Sequence, residues 1–298
     1  MKVIYFNKFF KTANYISIFF VVISVLLLFF KGLNFGVDFK GGTLIELRTS
    51  DKNINITTIR DYFKDLNLDG VSVKEFGNND DYIIKFMSDG NQSPDFIATI
   101  KNELQLKSNN SLDFRRVESV GPKVSDELLK SGIIAISLSL VAMLIYIWIR
   151  FEWQFSIGAI LALFHDVILT LGIFSLFSLE INLSIVAAVL TIVGYSMNDT
   201  VVIFDRVRDN LKKHSSIKIF DLTNLSINET LSRTIITSIT TLLALISIYF
   251  FGGEILKGFS LAMILGVIFG TYSSIYIACP SLVNFRVSQK TIIKDLKD

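Results

Sequence analysis

The sequence predicts a membrane all-α bundle of six transmembrane helices with an inserted α+β ferredoxin-like domain. Of 298 residues, 51% are hydrophobic and 19% charged, with 26 phenylalanines, a balance that soluble domains rarely carry. The apolar residues gather in six blocks and the charges lie almost entirely between them. Between the first two blocks, alternating and helical patterns follow in the order β-α-β-β-α-β, that of a split βαβ unit. A chain this long could bury one large soluble core, so the distribution decides rather than the length.

A helix crossing the hydrocarbon core needs about 20 mostly apolar residues. The blocks run over 13–30, 132–149, 155–179, 183–204, 235–251 and 259–279. Lys2, Lys8 and Lys11 precede the first, as in a secretory signal. No small-residue cleavage pattern follows, so the block reads as a retained anchor. Loop charges set the orientation. Arg150 follows the second block, and Arg206, Arg208, Lys212, Lys213 and Lys218 follow the fourth. Arg286, Lys290, Lys294 and Lys297 follow the sixth. The opposite short loops hold only Glu180 in one case and Glu254 with Lys257 in the other. Both termini are therefore expected on the cytoplasmic side. The expected domains are 1–31 (N-terminus and first span), 32–128 (the inserted domain, on the far side), 129–280 (spans two to six) and 281–298 (cytoplasmic tail).

Inside the inserted domain, 43–49 alternates as a strand, and 57–66 has helical spacing behind a threonine cap. Strands at 71–76 and 82–87 flank the turn-forming Gly77-Asn-Asn-Asp. Pro94 opens a helix to about 106, and 111–118 closes as a strand. The pattern suits a packing module and a substrate-touching surface equally.

Ionisable residues within spans are costly, which makes each a functional candidate. The third block contains His165 and Asp166, and the fourth Asn198 and Asp199. Asp199 lies roughly 9 Å before Asp205 at 1.5 Å per residue. Arg233 opens the fifth block, and its long side chain reaches either along the helix toward that depth or outward to lipid phosphate. Asp199 and Arg233 fit a structural ion pair or a proton relay. Burial and a guanidinium pull a carboxylate's proton affinity in opposite directions. His165 and Asp166 fit hydrogen bonding to neighbouring helices as well as function. Gly266-x-x-x-Gly270 reads as close helix packing.

Several chemistries are excluded. Gly194-Tyr-Ser196 with His165 hints at an intramembrane serine protease, but Asn198 stands where the second glycine of Gly-x-Ser-x-Gly belongs. No later span supplies a histidine. There is no phosphate loop, and Cys279 is the single cysteine, so neither a disulfide nor a Cys/His zinc spacing exists. A net charge of +2 gives no reason to expect nucleic acid as a partner.

Five stretches carry a family likeness. Phe35-Gly-Val-Asp-Phe-Lys-Gly-Gly42 follows the first span, and Val120-Gly-Pro-Lys-Val124 leads into the second. Val193-Gly-Tyr-Ser-Met-Asn-Asp-Thr-Val-Val-Ile-Phe-Asp-Arg206 ends the fourth. Gly252-Gly-Glu-Ile-Leu-Lys-Gly-Phe-Ser-Leu-Ala-Met263 and Gly270-Thr-Tyr-Ser-Ser-Ile-Tyr276 frame the sixth. With these motifs the chain resembles the SecD/SecF family, on its smaller SecF-type side, within the resistance–nodulation–division superfamily. The resemblance implies a bacterial inner-membrane protein without cofactor or catalytic activity. It implies a SecD partner that supplies the other spans, and contact through the complex with SecYEG, SecA, YajC or YidC and the translocating preprotein. The complex would use the proton-motive force to promote late steps of export. The resemblance assigns Asp199 and Arg233 to the proton pathway, completed by a SecD aspartate, and makes the inserted domain a periplasmic moving part. Asp38, Gly41 and Gly42 belong to its junction motif, where glycine permits a tight turn or hinge. Two rival readings are a structural assembly subunit without proton conduction, and an exporter of lipid or small molecules from the same superfamily.

Overall fold

The computed structural model describes residues 3–51, 54–64, 68, 70–76, 78–86, 94–109, 112–214 and 216–293. The chain runs α1 (Phe10–Phe30), β1 (Gly42–Thr49), α2 (Ile56–Lys64), β2 (Ser72–Phe76), β3 (Asn78–Phe86), α3 (Pro94–Lys107) and β4 (Leu112–Val120). It continues as α4 (Pro122–Arg150), α5 (Trp153–Leu176), α6 (Leu183–Lys213), α7 (Ile219–Phe251) and α8 (Gly253–Ser273). A π-helical turn, Ser274–Ala278, then leads into α9 (Cys279–Asn284). Two units separate: Met1–Asn34, Ala135–Leu179 and Ser184–Asp298 form one, and Phe35–Ile134 with Glu180–Leu183 the other.

Six helical stretches among the described residues are long and apolar enough to cross a membrane, as the apolar blocks predict. Several outrun those blocks. α7 starts at Ile219 rather than 235, because Leu222, Thr223, Ser226 and Ile227 give its polar first turns a buried face. α4 starts at Pro122 rather than 132, with proline at the first helical position, where its missing N–H costs nothing. α5, α6 and the helix from Leu256 are the most buried, whereas α1, α4 and α7 expose most of their apolar surface. Small residues let the helices meet. A Cβ on Gly266 would overlap Ile192 of α6, and one on Gly270 would lie 3.1 Å from Ser196 Cα. The four-residue glycine spacing thus seats α8 on α6, as expected. Gly172 of α5 gives way to Ser24 of α1 in the same manner.

In the inserted unit, an antiparallel four-stranded sheet has the order β2-β3-β1-β4, that of a split βαβ fold. Alternation turns Ile45, Leu47 and Ile84 inward, where they meet Ile59 and Phe63 of α2 and Ile100 and Leu104 of α3. The cap of α2 is not threonine. Asn55 Oδ1 accepts from Thr58 N–H at 3.0 Å and from Thr58 Oγ1 at 3.1 Å, so the helix begins at Ile56. β3 starts at Asn78, so most of the expected turn is strand; Gly77, Met87 and Ser111 lie outside the described residues.

Arg48 on β1 holds Asp81 on β3 with two parallel hydrogen bonds of 2.5 Å. The guanidinium keeps the Asp81 carboxyl below the usual aspartate range. That contribution is therefore present above the ordinary aspartate pKa and is lost as pH falls through the depressed value. Glu46 works in the opposite sense: its burial raises it, so its protonation favours the fold as pH falls. Asp81→Asn is expected to lower stability at neutral pH by on the order of 1 kcal/mol, since Arg48 is a third exposed. It should also flatten the loss of stability below about pH 4, both read by calorimetric unfolding of the full chain.

Candidate functional site

Asp166 is fully buried on α5 and is the hub of a polar network. Ser196 of α6 and Ser273 at the end of α8 donate to its Oδ2 at 2.6 and 2.7 Å. His165 Nδ1 lies 2.9 Å from its Oδ1. The buried His165 Nε2 has no partner among the described residues. Tyr272 stacks on the His165 ring at 5.9 Å, and its hydroxyl donates to Ala13 O at 3.0 Å on α1. Its Oη also lies 2.9 Å from Ser17 Oγ, so the network reaches four helices. The π-helical turn begins immediately after Ser273. Single π turns inside α-helices recur at functional positions, because they re-aim side chains. Asp166 thus hydrogen-bonds neighbouring helices, whereas His165 bonds Asp166 of its own helix and stacks on Tyr272.

Asp199, three residues beyond Ser196 on the same helix, is treated differently. It is 4% exposed, yet its Oδ2 accepts no hydrogen bond. Tyr195 Oη, one turn earlier, and Thr234 Oγ1, beside Arg233, are also buried without a partner. Arg233 is exposed, and no ion pair within 4 Å joins it to Asp199 among the described residues. Arg206 is engaged elsewhere, donating to Glu229 at 2.6 Å. Buried polar groups normally find partners, so an intramembrane carboxylate oxygen without one makes Asp199 a functional candidate.

The outer face of α6 around this site is unlike a lipid-facing one. Its exposed positions Ala187, Thr191, Gly194 and Asn198 follow helical spacing, with open space where a Gly194 Cβ would be. On α7, by contrast, Arg233, Thr240, Ala244 and Ser247 are exposed among larger apolar residues, Ile236, Ile239, Leu243 and Ile246. α1 likewise exposes Phe19, Phe20, Phe29 and Phe30, and α4 exposes Ile133, Ile134 and Leu138. Small and hydroxylated residues on a span's outer face are what a neighbouring helix requires. Two cavities of about 430 and 570 Å³ are lined around Leu211–Phe220 with Arg286–Gln289, and around Trp148–Gln154. Neither lining includes Asp199, Arg233, His165 or Asp166.

In the inserted unit, Asp38 sits on the helical turn Val37–Lys40 and accepts from Leu183 N–H at 2.9 Å through Oδ2. Gly41 and Gly42 follow with φ of +79° and +138°. These angles exclude side chains without strain, so the two glycines are a backbone requirement. Sequence reasoning by ionisable residues passed over Ser196, Tyr272 and Ser273, which carry no charge. For the two serines the signal is positional: Ser196 is three residues from Asp199, and Ser273 three from Gly270.

Residues 99–288 match the family described as protein export membrane protein SecD/SecF, C-terminal, and residues 26–52 match the SecD/SecF GG motif. The protein translocase subunit SecF of Rickettsia rickettsii is 44% identical over 96% of this chain and 94% of its own length. That of Cereibacter sphaeroides is 43% identical over 94% and 89%. Among solved structures, SecDF of Thermus thermophilus, a translocon-associated membrane protein, superposes with a TM-score of 0.80 at 34% identity. The superposition covers 93% of this chain and 38% of the longer SecDF chain. SecDF in its super-membrane-facing form gives 0.67 at 33% identity.

Truncating Asp166 to alanine strips Ser196 and Ser273 of their common acceptor. Each buried hydroxyl left unsatisfied costs roughly 1–3 kcal/mol. Asp166→Ala is therefore expected to lower the melting temperature of the detergent-solubilised protein well below that of Asp166→Asn, which keeps an acceptor oxygen.

Proposed function

The chain belongs to the SecD/SecF family of protein export membrane proteins, and from that premise we propose that it is a proton-driven auxiliary subunit of the Sec translocase. It acts with SecD in the bacterial inner membrane, both termini cytoplasmic and the inserted unit periplasmic. The observation that carries the reading is Asp199, buried in a span, unsatisfied, and within the electrostatic reach of Arg233. The exposed small-residue face of α6 supports a helical partner seated beside that acid, and SecD is the partner the family provides.

Asp199 takes a proton arriving down the gradient. Protonation removes the charge on which Arg233 acts, so the balance between α6 and α7 changes and the helices shift. Release of the proton restores the first arrangement. One charge moved through the membrane potential supplies about 2.3 kcal/mol per 100 mV, enough to bias a two-state element by tens-fold. The motion reaches the periplasmic unit and from there the emerging preprotein, in late steps after SecYEG and SecA have begun translocation.

Proteoliposomes holding the SecD partner test this. Asp199→Asn and Arg233→Met are expected to assemble at wild-type levels and to lose at least tenfold of the gradient-dependent increment in preprotein release. Assembled variants that keep the increment would make the pair structural.

A further inference from the structure

The segment joining α5 to α6 is gripped by the residues around Asp38. Gly36 N–H donates to Ile181 O at 2.8 Å, Leu183 N–H donates to Asp38 Oδ2 at 2.9 Å, and Lys85 of β3 pairs with Glu180. A Cβ on Gly36 would lie 2.5 Å from Glu180 Oε1, the movable end of that side chain, so the two segments run close together. Asp38 is itself anchored. Its helical turn is closed by Gly41 and runs into β1, which pairs with β4 from Gly42 opposite Val120. Ser125 at the start of α4 donates to Val37 O at 3.5 Å.

Leu183 is the first residue of α6, and a helix's first N–H groups have no intrahelical acceptor. A carboxylate is the group best suited to that electropositive end. The same unbroken helix carries Ser196 and Asp199 thirteen and sixteen residues later. Residues 35–134, which carry the sheet, are joined covalently only to α1 and α4, neither of which bears the acid; residues 180–183 of the same unit are continuous with α6. The link between 180–183 and the sheet is therefore non-covalent.

We propose that Asp38 is that link: a positioning residue that holds the first turn of α6 and passes the movement of the proton-binding helix to the inserted sheet. This rests on the proton-driven reading above. Asp38 touches no proton carrier, so its loss uncouples rather than blocks.

The reconstituted complex with SecD separates the two ideas through two readouts, proton entry followed by an internal pH dye and gradient-dependent release of a preprotein. Asp38→Ala is expected to leave assembly and proton entry near wild type while the release increment falls at least tenfold. Asp38→Asn, which keeps an acceptor but loses the charge, should fall less. Lys85→Glu and Glu180→Lys should each weaken release, and the double exchange should restore it, which guards against a folding defect in Asp38→Ala. Full release in Asp38→Ala, or proton entry and release declining in parallel, overturns the proposal. An Asp199→Asn complex that keeps its increment overturns the proton-driven reading alone; loss of release in Asp38→Ala in that same comparison still upholds the grip.

Discussion

Asp166 has no access to solvent, and inside a bundle of apolar helices an ion in that position must be surrounded by donors. Hydroxyls from α6 and α8 and the imidazole beside it meet that demand. Removing any donor would leave a buried charge short of its partners, so the helices that supply them cannot slide independently. The glycines of α8 add to this, since Gly266 and Gly270 bring its backbone against Ile192 and Ser196 of α6. α5, α6 and α8 thus form one tightly interlocked body, and the rest of the membrane unit is arranged around it.

Asp199 gains its meaning from that contrast. Ser196 and Asp199 are neighbours on one helix, yet one closes a satisfied network and the other stands in an unsatisfied pocket beside Tyr195. Asp166 Oδ2 receives hydrogen bonds from Ser196 and Ser273 and its Oδ1 lies 2.9 Å from His165 Nδ1, whereas Asp199 Oδ2 accepts none. The same helix therefore holds a rigid polar joint and a poised acid within one turn. A drive of about 2.3 kcal/mol per 100 mV is small beside the packing of a bundle. It does work only if most contacts stay fixed and few are free to change.

Much of this was legible in the sequence. Six apolar blocks and the β-α-β-β-α-β order located the spans and the sheet, because hydrophobic length and alternation reflect the solvent each face meets. The glycine pair in α8 also read correctly, as close packing. Helix ends were less legible: α7 begins far ahead of its apolar stretch, since hydropathy marks the membrane and not the helix. The α2 cap fell to Asn55, whose side chain reaches the free N–H groups better placed than the threonine after it. Ser196 and Ser273 were invisible as site residues because a hydroxyl becomes important only through the partner it finds in space. The grip of Asp38 on Leu183 joins positions 145 apart, and no local pattern reports such a contact.

The strength of that grip matters as much as its existence. Its backbone hydrogen bond is worth about 1 kcal/mol, and the charge-assisted one at the helix start about 1.5–3 kcal/mol. The Lys85–Glu180 pair, about a quarter to a third exposed, adds at most about 1 kcal/mol. Together these exceed what one charge gains from a potential of 100 mV, so under the proposed proton drive a single protonation of Asp199 would move the grip as a body rather than tear it open. They remain far weaker than the covalent joints through α1 and α4. A link of this size passes on a small helix displacement, and it yields before the sheet does when the load on the inserted unit is too great.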